Sequence, residues 1–371
     1  MKKLTYKVQF ETPAFIGGAD LKKADREKTD CEKADRGKAA KKAELRPASF
    51  IGILRWWWRV ILATFYDSSE KIHEKESLIF GSSKRAGAVY LRLLSPENLK
   101  RCCGKEIDPY MFANRECIAE GTSFNVCVYT KKEYEEIVDN LCKLVFCWGS
   151  VGYRSRKGVG SLKLIEPRLG SEKEELKLLK DVYWRNILEK VEDFRDMTEK
   201  GFDDLPSLKN LKLLRRKLNS KDLREGLKEF REVYRNIRRE DNNKTPEYNT
   251  IIKNFMQGKE INEQHVRVPN IVFGLPIQYK GSVMLTWKGP QNQTGNNRRA
   301  SLFLFKVKDN YVYAIGFKSK LLLDGAKLYV KYLKLKGREG KEIDVDLSSV
   351  DLFEQAIKAL EKGGFEEVKI E

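Results

Sequence analysis

Two short segments concentrate side chains that could grip a polyanion. The first, residues 44–59, reads ELRPASFIGILRWWWR: Arg46, Arg55 and Arg59 accompany three consecutive tryptophans, and nothing acidic follows Glu44. The second, residues 149–160, reads GSVGYRSRKGVG and carries four glycines with Arg154, Arg156 and Lys157. Cationic side chains neutralise phosphate, and glycines expose backbone N–H groups to it. This second segment is not a Walker loop, because GxxxxGK[ST] is absent and the lysine precedes its glycine in Lys157-Gly158. It also follows a predicted helix and leads into a strand, the reverse of the nucleotide-binding order. A glycine-rich turn with a purely structural role is the plainer reading of the same residues.

Catalytic chemistry finds little footing. The chain has two histidines, His73 beside charged residues and His265 in a linker-like stretch. No HExxH motif or paired carboxylates stand near the glycine-rich loop, so no catalytic residue, metal ligand or cofactor site is assigned. The seven cysteines contain no CxxC spacing, and their odd number argues against a disulfide framework. Cys142 and Cys147 fall in an apolar helical run and read as core. Cys102-Cys103 falls in a loop, where a redox role is the alternative to a structural one.

The elements that would position these residues follow from periodicity. Leu4 to Glu11 alternates as a strand. Ala48 to Tyr66 carries Ile51, Leu54, Trp58, Ile61 and Phe65 at helical spacing, with Pro47 suited to the first turn. On that helix Gly52, Arg55 and Arg59 fall together, beside the apolar stripe. A residue without a side chain flanked by two arginines lets another backbone come close. Trp57 and Trp58 read as packing, whereas Trp56 lies on the polar side and is a candidate for base stacking. A short helix over Ser69 to Phe80, strands over Ala86 to Leu94 and Ser123 to Tyr129, a helix over Tyr134 to Trp148 and a strand over Ser161 to Ile165 complete a βαββαβ order. The implied class is α+β, with two ferredoxin-like (RRM-like) domains.

The first domain is placed at 1–168 and the second at 169–371. The second opens with a segment, 171–258, whose Leu, Lys, Glu and Arg spacing predicts three helices. Within it, residues 211–240 hold eleven basic and five acidic side chains, which read as a solvated helix face. Strand-like text follows from Val266, with a hairpin at Asp309-Asn310, a helix over Val350 to Lys362 and a last strand over Glu366 to Ile370. Residues 20–43, almost wholly Lys, Ala, Asp, Arg and Glu, read as a surface insertion.

A net charge of +18 over 371 residues favours a polyanionic partner, with a basic soluble enzyme as the bland alternative. No apolar run approaches the roughly 18 to 20 residues of a membrane span, and the N-terminus lacks the features of a signal peptide. A cytoplasmic location is the expectation.

Three motifs, Thr12-Pro-Ala-Phe-Ile-Gly-Gly18, the segment 44–59, and Gly152-Tyr-Arg-Ser-Arg-Lys-Gly-Val-Gly-Ser-Leu162, together resemble the RAMP superfamily of CRISPR proteins. Within it they are most similar to the first subunits of type III-B Cmr complexes. Phe273-Gly-Leu-Pro-Ile277 and Arg298-Arg-Ala-Ser301 resemble that family's second-domain motifs. The resemblance implies a non-catalytic subunit that holds the 3′ portion of a CRISPR guide RNA and the paired target RNA among other Cmr subunits. It implies RNA contacts from Arg46, Ser49, Gly52, Arg55, Trp56, Arg59, Arg154, Arg156, Lys157, Gly158, Gly160, Arg298 and Arg299. The alternative within the superfamily is an endoribonuclease that processes guide precursors.

Overall fold

Alternation in the first strand, Lys2–Phe10 (β1), buries Tyr6, Val8 and Phe10 and leaves Thr5 and Lys7 in solvent. The computed structural model describes residues 1–17, 43–94, 99–107, 115–220, 222–237, 272–273, 277–279, 283–288, 301–320, 327–332, 341–343 and 351–370. The charged segment 20–43 lies outside these residues except for Ala43, as do His265, Arg298 and Arg299.

β1 is an interior strand of an antiparallel sheet with Tyr90–Leu94 (β2), Ser123–Thr130 (β5) and Leu162–Glu166 (β6), in the order β2-β5-β1-β6. Helices Pro47–Phe65 (α1), Ser69–Phe80 (α2) and Glu135–Trp148 (α3) supply the crossovers. The chain thus runs strand, helices, strand, strand, helix, strand, apart from a small hairpin before β5, which is the split βαβ connection. α1 begins with Pro47 in its first turn and buries Phe50, Leu54, Trp57, Trp58, Ile61 and Phe65. α2 is capped by Ser68, whose hydroxyl accepts from the Lys71 N–H.

The hairpin Arg101–Cys103 (β3) with Glu116–Ile118 (β4) places Cys102 directly opposite Cys117, and the two are disulfide-bonded. This corrects the reading that no disulfide is present. The pairing register brings the two sulfurs together, and their spacing in the sequence carries no sign of it.

A second antiparallel sheet has the order β10-β11-β7-β14, from Phe303–Lys308 (β10), Tyr311–Phe317 (β11), Leu211–Lys217 (β7) and Glu366–Glu367 (β14). Leu223–Ile237 (α6) and Leu352–Lys362 (α7) pack with it around Phe230, Phe303, Phe305 and Phe353. Here the segment 171–258 departs from the expected run of helices. Glu172–Lys177 (α4), Asp181–Leu188 (α5) and α6 are helical, but β7 is a strand. In the sequence LKLLRRK the long cationic stems satisfy a strand as readily as a helix, and pairing with β11 decides. Trp184, Leu188, Phe194 and Leu208 pack into the same core as α1 and α3. A third sheet, in the order β13-β12-β9-β8, joins Ile277–Tyr279 (β8), Val283–Lys288 (β9), Lys327–Tyr332 (β12) and Lys341–Ile343 (β13).

Candidate nucleic-acid interface

The glycine-rich loop runs from the end of α3 to β6 and turns through left-handed backbone at Gly152, Arg154, Gly158 and Gly160. At Gly160 a Cβ would stand 2.0 Å from the Val151 carbonyl oxygen, so only glycine fits there. The close approach these glycines permit is to the protein itself. The N–H of Tyr153 donates to Phe15 O at 2.9 Å, that of Gly160 to Pro13 O at 3.0 Å, and that of Gly158 to Phe305 O at 3.0 Å. The Phe305 N–H in turn donates to Arg156 O at 3.1 Å, and Lys157 pairs with Phe305 as a parallel bridge. The loop therefore caps the edge of β10 and joins the first sheet to the second. These N–H groups are engaged, so the loop does not offer the backbone cradle that its glycines suggest.

What the loop leaves open is a cleft of about 490 Å3 between itself, the first half of α1 and the turn at Gly17. Ser49, Gly52, Trp56 and Arg156, four of the residues singled out from sequence, line it together. Gly52 faces open space, with nothing within 4 Å of a Cβ added there. Arg156 is largely buried. Its guanidinium donates to Ser301 O at 3.0 Å and lies 5.1 Å from the centre of the Trp56 ring. Burial pushes its pKa below the ordinary arginine value. The Trp56 ring also meets Trp57 and Phe317 edge-on, so it is held by three neighbours.

The other predicted arginines end elsewhere. Arg55 and Arg59 turn toward α2 and clamp Glu76, whose side chain is only 6% exposed. Arg59 binds both oxygens, Nε to Oε2 at 2.5 Å and Nη2 to Oε1 at 2.9 Å. Arg55 reaches Oε1 at 2.8 Å and donates to Gly81 O at 2.7 Å. The hydrogen bonds to Glu76 raise the Arg59 pKa, against the opposing effect of burial. Arg46 donates to Gly17 O at 3.0 Å and sits 3.3 Å from Glu44, at the mouth of the cleft. Lys157 lies over the Tyr234 ring and Arg154 over Tyr153.

Sequence reasoning misses three residues. Arg115 and the exposed Tyr153 line the cleft, the guanidinium 4.3 Å from the ring centre, so a cation and an aromatic ring stand at the surface together. Tyr153 lies inside the glycine-rich motif and is visible there, whereas Arg115 arrives from a hairpin remote in sequence. Lys306 of β10 is fully buried. Its amine donates to the carbonyls of Gly149 and Leu162, at the two ends of the loop. Burial pushes its pKa down to about 7. A neutral amine has two N–H donors, matching those two acceptors. Among the described residues no group of three or more His, Cys, Asp or Glu side chains could hold a metal ion, and no helix is long and apolar enough to cross a membrane.

Comparison with known proteins agrees with the motifs. Residues 7–163 match the RAMP superfamily. Over 177 residues, 43% of this chain, the sequence is 30% identical to the CRISPR system Cmr subunit Cmr1-1 of Pyrococcus furiosus. That match spans 50% of the relative's length. It is 24% identical over 199 residues to Cmr subunit Cmr1-2 of the same organism, covering 44% of this chain and 96% of that one. The crystal structure of Cmr1 from Pyrococcus furiosus in its apo form superposes with a TM-score of 0.55 at 18% identity, covering 99% of this chain and 98% of that chain, a likeness of fold.

Proposed function

We propose that this chain, which carries the RAMP match over residues 7–163, is a non-catalytic RNA-binding subunit of a type III-B CRISPR effector, working in the cytoplasm among other Cmr subunits. In this reading the chain divides near residue 168 into two ferredoxin-like units, and the cleft between loop and α1 holds guide RNA 3′ sequence and target RNA. The observation that carries it is the convergence of Ser49, the open Gly52, Trp56 and Arg156 on one cleft, joined by Arg115 and Tyr153. Gly52 lets a sugar–phosphate backbone reach the helix, and the cations and rings give charge and stacking. The match to Cmr subunits supports the assembly.

A filter-binding titration of single-stranded RNA against salt tests it. Arg156→Ala should weaken binding and reduce the log–log slope by about 0.7 for each phosphate that is no longer neutralised. Arg59→Ala, whose charge is held by Glu76, should leave the slope unchanged. Equal slopes for Arg156→Ala and wild type would remove the cleft from the interface. Incubation with labelled repeat RNA separates this reading from the endoribonuclease alternative, since specific metal-independent cutting abolished by a point mutation would replace it.

A further inference from the structure

The first sheet has a second face, turned away from α1 and α3, and its outward side chains form a pattern. The pairing registers set them in rows. Tyr90, Tyr129 and Lys3 stand side by side in one row, Arg92, Cys127 and Thr5 in the next, and Leu94, Asn125 and Lys7 in the third. Tyr90 is 61% exposed and Leu94 42%, and Lys3, Thr5, Lys7, Arg92 and Asn125 are exposed as well. The Tyr90 and Tyr129 rings lie 6.1 Å apart at an interplanar angle of 43°. None of the outward positions on β2, β5 and β1 is acidic. Lys7 shares its charge with Glu166 at 3.6 Å, while Lys3 and Arg92 have no ion-pair partner among the described residues.

We infer that this face is a second binding surface for single-stranded RNA, separate from the cleft. Two adjacent tyrosines on an open antiparallel sheet give successive bases flat apolar surfaces to stack on. Lys3 beside them and Arg92 one row away answer the phosphates. Charge complementarity selects the occupant, because Lys3 and Arg92 have no ion-pair partner among the described residues and Glu166, the carboxylate on neighbouring β6, is paired with Lys7, so the face suits a polyanion. The surface stands on residues that take no part in the cleft, so the two readings fail separately.

The test uses the full chain and a fluorescein-labelled, uridine-rich single-stranded RNA. Tyr90→Ala and Tyr129→Ala should each weaken binding by at least about fivefold, the usual worth of one stacked base. Tyr90→Phe and Tyr129→Phe should restore it, since stacking needs the ring and not the hydroxyl. Lys3→Ala with Arg92→Ala should flatten the salt dependence. Ultraviolet crosslinking should attach the RNA to the Tyr90 or Tyr129 peptide. Folded alanine variants with wild-type RNA affinity would overturn the inference. So would alanine variants that keep RNA but no longer co-purify with another subunit, which would make the face a protein-binding surface. If the tyrosine variants lose RNA and Arg156→Ala does not, the sheet face stands and the cleft falls; the converse result sinks the sheet face.

Discussion

Arg55 and Arg59 on one side of α1, and Arg156 across the cleft from its other side, look alike in the sequence as cations beside glycines and aromatic rings. Their surroundings separate them. Glu76 arrives from α2, buried and bound by both α1 guanidiniums, so one of the two positive charges there is compensated and both cations are held. Arg156 meets no carboxylate among the described residues, only the Ser301 carbonyl and the Trp56 ring. A cation whose partners are a carbonyl and an aromatic face keeps its full charge for a phosphate. One shared with a buried carboxylate does not.

The same contrast runs between glycines, and it supplies the largest expected effect. Gly160→Ala puts a Cβ against the Val151 carbonyl in left-handed backbone and should cost about 3 kcal/mol or more of stability, read as a drop in the urea midpoint. A variant as stable as wild type would show that the loop relaxes freely. Next comes Glu76→Ala, which strands two partly buried guanidiniums and should cost about 2 kcal/mol while leaving RNA affinity near its wild-type value. RNA binding strengthened by the two freed cations would move Arg55 and Arg59 into the interface and erase their difference from Arg156.

Lys306 gives a pH signature to the joint between loop and β10. Its folded pKa, near 7, lies below the unfolded value of about 10.4, so the unfolded chain binds the extra proton in that window. Stability should therefore rise with pH from about 7 toward 10, by up to about 1.4 kcal/mol per unit from this group. Between pH 7 and 8, where the amine is still losing its proton, the gain should be about 1 kcal/mol. Lys306→Met should remove that rise in thermal melts, and an identical pH profile in the variant would mean the amine stays charged. The smallest effect belongs to Gly52→Ala. Open space above an ordinary helical position predicts a gain of about 0.5 to 1 kcal/mol from helix propensity, with RNA binding weakened by the added methyl group. Unchanged binding would place the RNA away from α1.

Much of the first sheet is legible in the sequence. The pattern predicts α1 over Ala48 to Tyr66 and it spans Pro47–Phe65, because an apolar stripe of five residues and a proline at its start are local signals. Alternation starts β2 at Ala86, yet the strand begins only at Tyr90. The chain before it is held by a tight approach of Gly87 to Phe80 and Gly81, which alternation cannot show. β7 escapes a sequence reading because LKLLRRK suits either state until β11 lies beside it. Of the candidate site, Ser49, Gly52, Trp56 and Arg156 stand out in the sequence and do converge. Arg115 and Lys306 do not stand out, since each reaches the loop from a strand or hairpin distant in sequence.

The sequence by itself determined the residue types: the basic balance, the helix that buries Trp57 and Trp58, the glycines of the loop and the motifs shared with RAMP proteins. These are set by local periodicity, composition and backbone freedom, which need no partner. Only the tertiary structure decided how each cation and each N–H is used. Glu76 holds Arg55 and Arg59, and Phe305 takes the Gly158 N–H that would otherwise be open to a phosphate. Electrostatic and hydrogen-bonding roles depend on which groups lie within a few ångströms, and folding sets those distances between residues as far apart in the chain as Gly158 and Phe305.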